Sequence, residues 1–383
     1  MSQARIVWQV AKILAAHPHL AGAYLRNRVR VAGMDRERRR ADGRSRPPRG
    51  IAFRVTLACN LHCRMCYYAA SGVTASDPRQ SLPLDAWQSV VDEVAPFRPY
   101  ITLTGGEPLL YPSLPALVHH IKKRGLLCTL ITNGTLLARH AAALMENPPD
   151  IVAISLDGPR DIHDGVRGRP GTFERAAEGI RALQSLKEQQ RRKAPLITVN
   201  CSITRYSYPH IDEMAGVAHE LAADSLHYQF EWSLTPRMAA AHNRQFGQHH
   251  PFSLEERGGY DPPPVDPAEV VEKVRRARRQ VAPANGRMFV LFHPDLEDPE
   301  VHRWFADPHH WVRRRPPACA WFNTAVLPNG DVEPCPGFIC GNVTRAPFLE
   351  IWNGAPMREH RRRLAEAGAF PICVRCCAFF RRD

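Results

Sequence analysis

No apolar run in this 383-residue chain reaches the ~18 residues that a helix needs to cross a bilayer, so a spanning segment of that kind is not expected. The first residues also lack the charged start, apolar core and small-residue cleavage site of a secretory signal. Acidic residues are in deficit: 38 Asp and Glu stand against 51 Lys and Arg, a net charge of +13. A basic surface can attract nucleic acid or anionic membrane. Here the excess is mostly arginine in short scattered runs, and the aromatic-interleaved basic stripe that holds single strands is missing. No nucleic-acid partner is expected, and the chain reads as cytoplasmic. Cysteine is nearly absent from the middle of the chain. Of eleven, three lie within 59–66 and six within 319–377. Tight clusters in a chain without a secretion signal point to metal in a reducing compartment rather than to disulfides. Cys128 and Cys201, inside apolar strand-like runs, read as buried small hydrophobes.

What is present is an ordinary globular composition, 44% hydrophobic and 23% charged, at a length that suits two or three domains. Residues 1–31 carry a helical pattern (Ile6, Val7, Val10, Ile13, Leu14, then Leu20, Tyr24, Leu25), which reads as packing on the main domain or as a basic amphipathic helix making peripheral membrane or partner contact. Residues 35–50 are Arg-rich, end in Pro47-Pro48 and read as a linker. From 51 onward strand and helix patterns alternate. Strands are expected at 51–57, 100–104, 126–132, 150–156, 196–203 and 225–231, with helices near 83–95, 113–124, 135–145, 172–190 and 209–222. Six such units predict an α/β fold, a parallel sheet with crossover helices forming a partial (β/α)6 TIM-type barrel. Residues 233–265 are irregular, with Pro236, Gly258-Gly259 and Pro262-Pro263-Pro264, and a charged helix is expected near 266–281. From about 316 the chain turns to Cys, Pro, Gly and Asn with weak periodicity, a segment that metal ligation would stabilise. The organisation therefore reads as an N-terminal helix and linker (1–50), a core (51–232), a connecting region (233–315) and a cysteine-bearing domain (316–383).

The chemistry begins at Cys59-Asn60-Leu61-His62-Cys63-Arg64-Met65-Cys66, directly after the first strand. Three thiolates in eight residues can hold three corners of an iron–sulfur cube. Such clusters normally take four cysteines, so a cube held by three keeps one iron open. Zinc is the competing reading, since His62 stands nearby, although structural zinc more often uses separated CxxC pairs. After the second strand comes Thr104-Gly105-Gly106-Glu107-Pro108, where glycines let backbone amides approach a ligand and the glutamate can pair an ammonium group. Thr132-Asn133-Gly134 follows the third strand and Ser155-Leu156-Asp157-Gly158-Pro159 the fourth. Each alone is a turn signal. Together they put polar groups at the C-terminal ends of successive strands, where barrel folds carry their sites.

These motifs closely resemble the radical S-adenosylmethionine (SAM) superfamily: CNLHCRMC matches its CxxxCxxC signature and TGGEP its glycine-rich motif, over about residues 51–232. The resemblance implies that Cys59, Cys63 and Cys66 hold a 4Fe–4S cluster whose open iron is chelated by SAM. One electron then cleaves SAM to methionine and a 5′-deoxyadenosyl radical, which removes a hydrogen atom from the substrate. It implies that Gly105, Gly106 and Glu107 contact the methionine amino end and that Ser155 and Arg167 bind SAM. Asn133 would support the pocket floor, and Asp157 would do the same or serve structure. An electron donor such as flavodoxin or ferredoxin is implied as a partner. The residue before the third cysteine, often aromatic in that family, is Met65 here, with Tyr67 and Tyr68 following.

The C-terminal run also has a family likeness. Cys319, Asn329-Gly330-Asp331, Cys335, Gly341-Asn342-Val343, Ile351-Trp352-Asn353 and Cys373-Val374-Arg375-Cys376-Cys377 resemble the SPASM extension, which binds auxiliary 4Fe–4S clusters. The chain stops six residues after Cys377, and the expectation is one auxiliary cluster held by Cys319, Cys335, Cys373 and Cys376. Cys340 and Cys377 are surplus: a substitute ligand, a plain thiol or a hydrogen-atom donor. Zinc is the alternative at this second site.

The resemblance implies an oxidoreductase or epimerase-type enzyme acting on a small-molecule, sugar or lipid-linked substrate. The first 50 residues look too short and Arg-rich for the extra peptide-binding domain of many peptide-modifying members. Radical maturation of a ribosomally made peptide is the alternative, and a non-catalytic metal protein that binds nucleic acid is a remote third.

Overall fold

The computed structural model describes residues 21–77, 80–252, 264–280, 288–313 and 317–380. Its centre is one nine-stranded sheet. In chain order the strands are β1 (Gly50–Thr56), β2 (Tyr100–Gly105), β3 (Leu127–Thr132), β4 (Ile151–Ser155), β5 (Leu196–Ile203), β6 (Ser225–Phe230), β7 (Phe289–His293), β8 (Asn323–Val326) and β9 (Val332–Glu333). Their spatial order is β7-β6-β5-β4-β3-β2-β1-β8-β9. All neighbours pair in parallel except β8 with β9, which are antiparallel. The first six strands fall where the hydrophobic runs predicted them. Sequential neighbours in a parallel sheet require crossover helices, and amphipathic helices supply them.

The helices used below are α1 (Ala21–Arg38), α2 (Leu84–Val94), α3 (Leu114–Lys123), α4 (Leu137–Glu146), α5 (Arg160–Arg167), α6 (Thr172–Gln189), α7 (Met214–Glu220), α8 (Pro236–Phe246), α9 (Pro267–Gln280), α10 (Asp298–Ala306) and α11 (Ala355–Ala367). The helix α2 shows why the pattern folds this way. Trp87, Val90, Val91 and Val94 recur at helical spacing and are all buried. Trp87 packs on Phe53 of β1 with ring centroids 4.7 Å apart. Truncating such a core tryptophan to alanine costs about 3–5 kcal/mol. Buried residues of both sheet faces and the covering helices form one continuous core.

Two strands lie in regions read from sequence as connection or extension. The short run Phe289–His293 adds β7 beside β6, with Leu226 opposite Val290 and Tyr228 stacked on Phe292 at 4.5 Å. At the other edge β8 pairs with β1, Ile51 opposite Thr324, so the cysteine-bearing segment continues the core sheet. The charged helix expected near 266–281 is α9.

The Arg-rich stretch read as a linker is fastened down. The Glu37 carboxylate accepts hydrogen bonds from Ser45 Oγ (2.8 Å) and the Arg46 amide (3.1 Å). Ser45 exchanges two bonds with the Asn353 side chain, each 3.0 Å, and Trp352 Nε1 donates to the Arg46 carbonyl at 2.7 Å. A strap formed by 37–49 thus joins α1 to the C-terminal domain. Residues 6–20 of the expected N-terminal helix, and Gly258-Gly259 with Pro262-Pro263, lie outside the described residues. On α1, Leu25 and Val29 sit one turn apart and are exposed. Among the described residues no helix is long and apolar enough to cross a membrane.

Candidate functional site

The cysteine loop leaves the C-terminal end of β1 and is clamped on two sides by backbone. The Gly106 amide donates to Thr56 O and the Glu107 amide to Ala58 O, both at 2.8 Å. Side chains at the paired glycines would collide: a Cβ at Gly105 would lie 2.1 Å from Thr56 O, and one at Gly106 would lie 2.2 Å from Ala58 O. Gly105 also has φ +139°, a conformation that glycine alone adopts readily. On the other side Arg64 N donates to Val166 O at 2.9 Å, at the end of α5. The glycines expected to open amides toward a ligand therefore first serve close packing of the cysteine loop on the β2 exit.

Cys59, Cys63 and Cys66 line a cavity of about 280 Å³ at the strand ends, together with Thr104, Gly105, Gly106, Asn133, Ser155 and Arg167. Two donors face the sulfurs. Arg167 Nη1 lies 3.6 Å from Cys63 Sγ, and Asn133 Nδ2 lies 4.0 Å from Cys59 Sγ. Hydrogen bonds and positive charge at ligand sulfurs are what an anionic iron–sulfur cluster needs around it. Burial pushes the Cys59 thiol up to about 11 and raises Cys66 as well, which favours their protonated forms, and metal ligation displaces such protons. Among the described residues no three His, Cys, Asp or Glu side chains converge tightly enough for a single metal ion. The three thiols stand instead around one cavity wall, a donor set that fits a multi-iron cluster.

Behind this wall Glu107 and Asp157 are both held by protein donors, for Asp157 the structural alternative of the sequence reading. Glu107 is fully buried and absent from the cavity lining. Its carboxylate accepts from Thr132 Oγ1 (2.7 Å), the Asn133 amide (2.8 Å) and the Leu109 amide (3.0 Å). It pins the β3 exit to the β2 exit, with three of its acceptor positions taken by protein donors. Burial raises its pKa against the pull of those donors. Asp157 is also fully buried. It holds Arg167 Nη2 at 2.5 Å and accepts the Ser202 amide at 2.8 Å, so it aims the guanidinium at Cys63. Burial drives neighbouring His163 down to about 3, and its Nδ1 accepts the Asp157 amide at 3.1 Å.

Sequence reasoning stopped at the fourth strand and missed the rest of the rim. Ser202 and Thr204 at and after the end of β5, and Gln229, Glu231 and Trp232 at and after β6, also line the cavity. Extending the strand-end rule to the fifth and sixth strands would have found them. Met65 and Tyr67 line it too, and Tyr67 meets Trp232 edge-on at 4.7 Å.

Cys319, Cys335, Cys373 and Cys376 line one small cavity of about 40 Å³ with Trp232, Leu234 and Phe379. Burial raises Cys335 strongly and pushes Cys373 up to about 12. Cys340 stands outside this lining, buried, with its thiol donating to Val332 O at 3.2 Å. The side chain of Cys377 lies outside what the structure describes. Trp232 lines both cysteine cavities and forms the wall between them.

Comparison with known proteins agrees with this geometry. The family model of the radical SAM superfamily matches residues 53–189, and that of the SPASM iron–sulfur cluster-binding domain matches residues 319–377. An AdoMet-dependent heme synthase of Methanosarcina barkeri (strain Fusaro / DSM 804) is 34% identical over 187 residues, covering 48% of this chain and 50% of that protein. The match thus spans about half the length of that relative. A PqqA peptide cyclase of Streptomyces rochei is 26% identical over 355 residues, 87% of this chain and 85% of the relative. A pre-heme d1 synthase of Dinoroseobacter shibae (strain DSM 16493 / NCIMB 14021 / DFL 12) is 25% identical over 367 residues, 88% of this chain and 80% of the relative. Among solved structures, SuiB of Streptococcus suis bound to S-adenosylmethionine superposes with a TM-score of 0.60 at 14% identity, covering 82% of this chain and 68% of that one, a likeness of fold.

Proposed function

Because the chain carries a radical SAM domain and a SPASM iron–sulfur cluster-binding domain, we propose that it is a radical SAM enzyme that matures a peptide. Such domains imply a 4Fe–4S cluster, SAM and auxiliary iron–sulfur as cofactors. When bound, the cluster and SAM supply a 5′-deoxyadenosyl radical that takes a hydrogen atom from the substrate. Cys59, Cys63 and Cys66 hold the first cluster. Gly105, Gly106, Asn133 and Ser155 shape the wall beside it, and Arg167, steered by Asp157, places positive charge at the Cys63 sulfur. Glu107 braces the pocket from behind. Trp232 and Tyr67 close the apolar side and exclude water from the reacting atoms. Cys319, Cys335, Cys373 and Cys376 hold one auxiliary cluster, and a flavodoxin or ferredoxin supplies electrons. The core at 51–232 and the auxiliary domain at 316–383 act as one unit through the pairing of β8 with β1, with 233–315 as the connecting region.

One observation carries the peptide reading: the similarity to the peptide cyclase runs through both domains, over 87% of this chain. An outer basin of about 700 Å³ beside the auxiliary cysteine cavity, with Phe379 common to both linings, offers room for a substrate segment away from the reacting atoms. Support thereby moves from the small-molecule, sugar or lipid-linked substrate to the peptide that the sequence carried as its alternative. A second reading, a tetrapyrrole substrate, is favoured by the heme synthase and pre-heme d1 synthase likenesses.

The yield of 5′-deoxyadenosine from anaerobically reconstituted protein separates the two. A short peptide encoded beside the gene is expected to raise that yield and to change in mass. If coproporphyrin raises it and no such peptide does, the peptide reading is wrong. Heavy water then reports the outcome: an epimerised product takes up deuterium, and a dehydrogenated one loses two hydrogens.

A further inference from the structure

The outer basin is assigned to nothing so far. One wall is α8, which presents Arg237 and Arg244 together with Met238 and Ala241. The facing wall is the loop of the last cysteines, with Pro371, Val374 and Phe379, and Trp311 closes a third side. Arg237 and Arg244 lie seven residues apart, two turns along one helix face, about 10 Å. Both are exposed, and neither has an ion-pair partner among the described residues. That separates them from the arginines of α9, where Arg275, Arg276, Arg278 and Arg279 all pair with carboxylates. No Asp or Glu is among the described residues lining the basin, while Arg38 and His309 add further basic groups at its edge. The basin thus offers two unengaged guanidinium groups above an apolar floor. Its Phe379 also lines the auxiliary cysteine cavity.

We propose that this basin seats an acidic stretch of the substrate peptide, carboxylates on Arg237 and Arg244 and an apolar side chain against Trp311 and Phe379. Guanidinium groups hold carboxylates through paired, charge-assisted hydrogen bonds. On an extended chain, carboxylates two residues apart share one face about 7 Å apart, a spacing that the long, exposed arginine side chains on that helix face can span. The basin is a docking place apart from the reacting atoms, and the assignment rests on the peptide reading above.

The test is binding, read by fluorescence anisotropy on the anaerobically reconstituted chain. The probe is a fluorescein-labelled peptide of alternating Glu and Phe, compared with its Gln-for-Glu counterpart. The Glu peptide is expected to bind, to weaken as salt rises, and to lose roughly tenfold or more in affinity in R237E/R244E. The Gln peptide is expected to bind no better than the charge-reversed protein binds the Glu peptide. Iron content and melting temperature check that the variant is folded, and Arg237→Gln/Arg244→Gln serves if charge reversal prevents folding. Unchanged affinity in the folded double variant overturns the proposal. So does coproporphyrin binding that depends on these arginines while the peptide's does not. A peptide that raises 5′-deoxyadenosine yet binds both proteins equally overturns the basin alone and leaves the peptide reading standing.

Discussion

Glu107 is found by its motif, and its surroundings point to a bracing role. Its position after Gly105-Gly106 marks it for the pocket, and its buried carboxylate accepts three hydrogen bonds, from Thr132, Asn133 and Leu109. Glu107→Gln keeps the shape but turns one acceptor oxygen into a donor that faces other donors. The expected result is a loss of about 1–3 kcal/mol in stability, seen in denaturant melts, with the KM for SAM moved little. A large rise in KM with unchanged stability would restore the ligand-contact role. Cys340 gives the opposite case, a cysteine within the auxiliary segment that the fold sets aside. Its thiol is buried against Val332 O and lies outside the four-cysteine lining. Cys340→Ser is expected to leave iron per chain unchanged, whereas Cys335→Ser should lower it by the auxiliary share. Iron analysis on the two variants decides between them. The spacing of the cysteines made the two groups legible. Which acceptors a buried carboxylate has already filled depends on loops 25 residues or more apart meeting in space, as Glu107 and Thr132 do, and spacing carries no such record.

At the scale of elements, the exits of β1 and β2 hold the cysteine loop in place by backbone fit. Gly106→Ala puts a Cβ 2.2 Å from Ala58 O and 2.4 Å from Leu57 O, contacts that only a shift of the loop relieves. The expected outcome is loss of iron from the first site with the second retained, readable as about half the iron and no 5′-deoxyadenosine. Full iron in that variant would mean that the loop tolerates the shift. Six of the parallel strands were legible because each is a run of apolar residues between turn signals, the pattern of strands buried on both faces. The strand β7 was not, since five residues after a charged helix carry too little pattern. The strand β8 is four residues long and gains its place by pairing with β1, more than 260 residues earlier in the chain. The strap at 37–49 misleads for a related reason. Its arginines and prolines look like a linker, while Glu37 ties down Ser45 and Arg46, and Ser45 and the backbone carbonyls of Gly43 and Arg46 find partners in Asn353, Arg361 and Trp352 that local composition does not reveal.

The whole molecule is joined where α8, the loop after it, α11 and the auxiliary cysteine loops meet in a box of rings. His242, His250 and His360 are all buried there, with ring centroids 4.9 Å apart for the first pair and 5.2 Å for the second, packed against Phe338 and Phe370. Burial pushes His250 down to about 3, lowers His242, and lowers His360 well below its ordinary range. The folded chain therefore keeps these rings neutral while the unfolded chain protonates them near the ordinary value of 6.5. Stability is present above that pH and is lost as pH falls below it, with a slope of up to about 1.4 kcal/mol per pH unit per histidine. Melting temperatures from about pH 7 to about pH 4.5, a range that spans the ordinary histidine value, are expected to fall in the wild-type chain and to fall less steeply in His250→Phe. Parallel profiles would remove the box as the cause. The central claim is that Cys59, Cys63 and Cys66 hold a cluster that opens SAM. The most direct test is to reconstitute the wild-type chain and the variant Cys59→Ala/Cys63→Ala/Cys66→Ala with iron and sulfide without oxygen, add reductant and SAM, and measure 5′-deoxyadenosine. The wild-type chain should form it and the variant should form none while keeping the auxiliary iron. Product from the variant, or zinc without sulfide in the wild-type chain and no product, would contradict the account.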